Sequence, residues 1–100
     1  LAERGVITIM VNHPNTTWGD FDMREGVAHW TRARDMSVAM DTLEADPSFS
    51  DHLDTSRIMA AGFSFGGWTA LSLGGATGNH AGIVSACETR PEMAACGVLP

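Results

Sequence analysis

The sequence predicts an α/β fold built on a parallel β-sheet with a βαβ crossover. Three observations carry this expectation. Two apolar runs, at residues 6–11 and 57–63, read as buried strands, and the segment between them has helical periodicity. The second run leads through Gly62 into another helix-like stretch beginning at Gly66. Strand, helix, strand, helix in that order implies a right-handed crossover in one sheet.

Each element has its own justification. Leu1-Ala2-Glu3-Arg4-Gly5 reads as a last helical turn stopped by glycine. Val6-Ile7-Thr8-Ile9-Met10-Val11 is β-branched with little alternation, the pattern of a strand covered on both faces. Asn12-His13-Pro14-Asn15 supplies turn formers. Residues 18–30 show no period and are expected to form a long loop. From about Thr31 to Asp46, Ala33, Met36, Ala39, Met40 and Leu43 share one helical face, with Arg34, Asp41 and Glu44 largely away from it. Pro47 ends that helix, because the residue before proline is pushed out of the α region. Residues 48–56 form a polar connection, and Ile83-Val84-Ser85 is a candidate third strand. The Met36/Met40 stripe is read as core, and Arg34 and Asp35 as makers of structural polar contacts.

A chain of 100 residues suits one small domain. Its 44% hydrophobic and 18% charged content is that of a globular protein, and its apolar runs are too short for a membrane span. Six arginines, no lysine and twelve acids give a net charge of −6, which argues against nucleic acid or an anionic membrane as main partner. The chain is expected to be the central part of a single domain, truncated at both ends, with any targeting signal elsewhere.

Chemistry is expected at Gly62-Phe63-Ser64-Phe65-Gly66. A G-x-S-x-G pattern between strand and helix is the mark of a nucleophile elbow, where a tight turn exposes the serine hydroxyl. Close backbone approach is expected at the flanking glycines Gly62 and Gly66, and at Gly67. Ser64 is the candidate nucleophile, and the backbone N–H of Phe65 the candidate oxyanion donor. The competing reading is a glycine-rich turn of no catalytic meaning. No dinucleotide or phosphate-loop pattern is present.

With these segments placed, the chain resembles the α/β-hydrolase superfamily. Within it, the resemblance is to the predicted dienelactone hydrolase group related to platelet-activating-factor acetylhydrolase. The residues that carry it are Leu1 to Gly5, His13-Pro14-Asn15-Thr16, Arg34-Asp35-Met36-Ser37, Leu43-Glu44-Ala45-Asp46-Pro47, Asp54-Thr55-Ser56-Arg57-Ile58 and the stretch from Ala61 to Gly67. The resemblance implies a serine esterase that uses no cofactor and takes a small-molecule ester. Dienelactone hydrolase itself has a cysteine nucleophile where this chain has Ser64, which points to ordinary serine-esterase chemistry.

Serine needs a histidine to take its proton and an acid to orient that histidine. The hydrolase order is nucleophile, acid, histidine, yet after Ser64 the acids Glu88 and Glu92 follow His80. The acid and histidine are therefore expected beyond Pro100. His13, just past the first strand run, is either a pocket-lining residue or a histidine bonded in a turn. His29 and His52 read as surface loop residues, and no histidine spacing suggests a metal site. Trp18, Phe21 and Trp30 are read as an apolar wall over the pocket or as packing against the sheet. Cys87 and Cys96 are close enough in sequence for a local disulfide, which would suit an exported enzyme; two free thiols would leave the same sequence signature. Two other functions stay open: a non-catalytic α/β-hydrolase-like binding protein, and a hydrolase of amides or thioesters.

Overall fold

A computed structural model describes residues 1–98. Its elements are mostly helical. A 3₁₀ turn over Ala2–Arg4 is followed by a two-stranded hairpin, β1 (Thr16–Thr17) and β2 (Asp20–Phe21). Then come α1 (Met23–Val27), α2 (Trp30–Ala45), a 3₁₀ turn at Ser50–His52, α3 (Phe65–Leu73), α4 (His80–Thr89) and a final 3₁₀ turn at Ala94–Gly97. The sheet is antiparallel, with Thr16 opposite Phe21 and Thr17 opposite Asp20.

This overturns the expected α/β architecture. Among the described residues there is no parallel sheet and no βαβ crossover. Residues 6–11 and 57–63 are neither helical nor laddered. Their composition favours extended backbone, but a strand exists only when a neighbour takes up its N–H and C=O groups. Neither run has such a neighbour, and most of their side chains stay in solvent, Ile9 and Val11 being half-buried: Met10 is 90% exposed and Phe63 92%. The resemblance to α/β-hydrolases loses its structural basis with the sheet.

Local capping explains two further departures. The stretch expected to be a loop holds the hairpin and α1. Trp18 and Gly19 form its two-residue turn, Gly19 at φ 81°, and the Asp22 side chain accepts from the Arg24 N–H to cap α1. Ile83-Val84-Ser85 lies inside α4 instead of in a strand. There the Asn79 side chain accepts from Gly82 N–H at 2.9 Å, and the cap outweighs the β preference of two branched residues.

Helix α2 lies where its periodicity placed it. Ala33, Met36, Ala39, Met40 and Leu43 are all half-buried, whereas Arg34, Asp41 and Glu44 are exposed. The Asp46 N–H bonds the Leu43 carbonyl, and the helix stops before Pro47.

What α2 packs against is polar. Among the described residues no hydrophobic side chain is fully buried; the buried ones are His13, Thr16, Arg32 and Thr69. Arg32 on α2 joins three elements. Its Nε donates to Thr69 Oγ1 on α3 at 2.9 Å, and one terminal nitrogen donates to both the carbonyl and the hydroxyl of Thr16 on β1, at 2.6 and 2.8 Å. Its guanidinium carbon stands 4.5 Å from the centre of the Phe65 ring, a cation–π contact. Burial draws the Arg32 pKa below its ordinary value, and the Asp35 charge opposes that shift. The group stays charged, as arginine does in proteins.

The molecule is open for its size. Its accessible surface is 7695 Å², against roughly 5,500 Å² for a folded chain of this mass. The radius of gyration is 16.6 Å, where about 13 Å is usual for 100 residues.

Candidate functional site

Ser64 sits at the junction between the extended run and α3, as the residue that precedes the helix. Its backbone has φ 53° and ψ −120°, outside the regions that L-residues normally occupy. Holding a non-glycine residue there costs on the order of 1–3 kcal/mol, and such strain gathers at functional positions. Three bonds hold the turn: Gly66 N–H to the Phe63 carbonyl at 2.9 Å, Gly67 N–H to the Ser64 carbonyl at 3.0 Å and Trp68 N–H to the same carbonyl at 3.3 Å. The Ser64 hydroxyl makes no cap bond.

Of the glycines expected to be crowded, Gly62 is and Gly66 and Gly67 are not. A Cβ on Gly62 would overlap the backbone carbonyl of Gly66 and come within 2.7 Å of the Gly67 nitrogen. A Cβ on Gly66 meets nothing within 4 Å, and one on Gly67 meets the Gly62 oxygen at an ordinary 3.4 Å. The turn doubles back so sharply that its two ends touch at Gly62.

Phe65 opens α3, so its N–H is one of the four first-turn amides with no partner inside the helix. Gly66, Gly67 and Trp68 already donate to the Phe63 and Ser64 carbonyls, so of the first-turn amides it is the Phe65 N–H that bears on charge beside Ser64. Phe65 is itself held by the Arg32 stack, while Thr69 Oγ1, which accepts from Arg32, donates to the Phe65 carbonyl at 3.1 Å.

Ser64 lines an open groove of about 770 Å³ between the hairpin, α1, α3, α4 and the last 3₁₀ turn. Its walls are mainly apolar, with Phe21, Val27, Phe65, Trp68, Ile83 and Met93. Among the described residues no aspartate, glutamate or arginine lines it. His29 does. Its ring meets Trp68 and Trp30 edge-on, with centroids 5.2 and 5.7 Å away, and its Nδ1 is buried without a hydrogen-bond partner.

His13 does not line this groove. It is 5% exposed, and its Nδ1 lies 2.7 Å from Asp35 Oδ2, which ties the loop after residues 6–11 to α2. Phe21 lines the groove and Trp30 touches His29, whereas Trp18 at the hairpin tip is wholly exposed and walls nothing. Cys87 and Cys96 are joined in a disulfide, with Cα atoms 5.5 Å apart. The bridge fastens α4 to the last 3₁₀ turn. No helix among the described residues is long and apolar enough to cross a membrane.

Sequence reasoning took His29 for a surface loop residue and gave Arg32 no role; the structure half-buries His29 at the cap position before α2 and buries Arg32. Both were detectable on the helical wheel of α2. Arg32 precedes Met36 by four residues, and His29 precedes Ala33 by four, so each flanks the inward apolar face.

No protein-family model, no curated protein and no solved structure matches this chain. Together with the missing parallel sheet, this overturns the resemblance to the dienelactone hydrolase group.

Proposed function

We propose that this chain carries the nucleophile of a serine hydrolase acting on carboxylic esters through an acyl-enzyme. One observation carries the reading. Ser64 is held in a strained backbone conformation at the start of α3, beside an apolar groove. In the proposed reaction Ser64 Oγ attacks the ester carbonyl, and the Phe65 N–H donates to the oxygen that becomes negative. The alcohol leaves with a proton, and water then releases the acid from Ser64.

Among the described residues, no histidine is hydrogen-bonded to Ser64. We assign the proton acceptor and its orienting acid to segments outside residues 1–98. The Cys87–Cys96 bridge supports an exported enzyme, since such bonds persist in oxidising compartments.

The test is labelling with a fluorophosphonate, which reacts with activated serines. The intact protein is expected to label and Ser64→Ala to lose the label while keeping its circular dichroism. Undiminished labelling of Ser64→Ala would remove Ser64 from this role. A second reading has its own support. The apolar lining and the absence of a base on Ser64 also suit a binding protein that does no chemistry, for which neither protein would label.

A further inference from the structure

We propose that this groove receives the aliphatic chain of a neutral ester, and that the Cys87–Cys96 bridge holds the wall against which this chain lies. The ester group in this proposal rests on the hydrolase reading of Ser64; the chain rests on the lining.

The lining argues by what it offers and what it cannot satisfy. Among the described residues no aspartate, glutamate or arginine lines the groove, so a charged ligand would give up hydration with no side chain of those types to meet it. A sugar would need several hydrogen-bonding partners. Ser64, His29, Asn79 and the indole N–H of Trp68 are the polar groups at hand on side chains, and Asn79 Oδ1 is already taken by the Gly82 N–H. An aliphatic chain asks for apolar surface alone, and Val27, Ile83 and Met93 supply it. At about 770 Å³ the groove has room for such a chain, and it is open to solvent more than enclosed. One polar group on the ligand, the ester, matches the serine at the wall.

The bridge belongs to the same groove. Ala86, which lines it, adjoins Cys87 on α4; Ala95, which lines it from the last 3₁₀ turn, adjoins Cys96. Met93 projects from the same short connection. That segment has no long element of its own to anchor it, so the covalent link fixes how far it stands from α4. Cutting the link frees the wall.

The experiment measures binding apart from turnover. Methyl octanoate is titrated into Ser64→Ala protein, and the methyl resonances of Ile83 and Met93 are followed by NMR. Saturable shifts at both are expected. Sodium octanoate, which bears a carboxylate, should bind about tenfold or more weakly. Ala86→Phe, which fills the groove, and Met93→Asp, which charges its wall, should each weaken methyl octanoate by a similar factor, and reduction of the bridge should do the same. Ala86→Phe lies on α4; should it fail to fold, Met93→Asp carries the comparison alone. Equal affinity for ester and carboxylate, shifts elsewhere, or binding indifferent to Met93→Asp and to reduction would overturn the proposal. Phosphonate labelling of the unsubstituted protein separates the two readings. Labelling without methyl octanoate binding refutes the groove assignment alone. Binding without labelling supports the groove and removes the hydrolase.

Discussion

Gly62→Ala should damage this protein, whereas Gly66→Ala should not. A methyl group on Gly62 would overlap the carbonyl of Gly66 and approach the Gly67 nitrogen to 2.7 Å. Both atoms belong to the first turn of α3, and backbone cannot swing aside as a side-chain tip can. Relief requires α3 to shift, yet Thr69 and Phe65 on that helix are held by buried Arg32. Overpacking of this kind costs about 1–3 kcal/mol. For a domain of this size each kcal/mol lowers Tm by roughly 4–8 °C. The open shape of the molecule leaves little stability in reserve, so the shift should be plain in a thermal melt followed by circular dichroism at 222 nm. Gly66 is the control. Its added methyl meets nothing, and replacing a helical glycine by alanine stabilises by up to about 1 kcal/mol. The expected order of Tm is Gly66→Ala at or above the parent and Gly62→Ala well below it. Phosphonate labelling should fall with Gly62→Ala, because the turn that presents Ser64 is displaced. Equal melting temperatures for the two variants would refute the close approach at Gly62 and the tight turn with it.

Further expectations follow from other contacts. Ser64→Gly should raise stability by about 1 kcal/mol, since glycine tolerates φ 53° and serine does not; a lower Tm would refute the strain. Arg32→Met should cost about 2–3 kcal/mol by leaving Thr16 and Thr69 without their charged donor, and a urea midpoint equal to the parent's would deny the polar centre its role. Opening the Cys87–Cys96 loop with Cys96→Ser should cost about 2.5 kcal/mol by the loop-entropy argument, and two thiols alkylated without prior reduction would show that no bridge exists. Asp54 should titrate below its ordinary value, because bonds from Ser56 and then Arg57 favour its carboxylate. Its contribution is present above the unfolded pKa and is lost as pH falls through the lower folded one. Ser56→Ala should move its NMR midpoint upward; an unmoved midpoint would contradict the assigned cause.

What the sequence determined by itself was local. The α2 helix, its inward face and its stop before Pro47 follow from a 3.6-residue period and the geometry of proline, neither of which needs a distant partner. The start of α3 was legible to within one residue, read at Gly66 where the helix begins at Phe65, from glycines crowded around a change of period. The sheet was not. Residues 6–11 and 57–63 have the composition of buried strands, but strand pairing is a contact between segments far apart in sequence, and only the tertiary structure decides whether the partners meet. For residues 83–85, tertiary context and the Asn79 cap overrode β preference. Composition likewise left both the bridged and the free states open to Cys87 and Cys96 until the last 3₁₀ turn lay against α4. At the site, the motif named Ser64 and the close approach at Gly62, whereas the histidine that shares the groove and the arginine that holds Phe65 emerged from packing. Pattern reports which residues lie on one face of one element. Which faces meet is settled by the folded chain as a whole, because burial and hydrogen bonding are satisfied between elements.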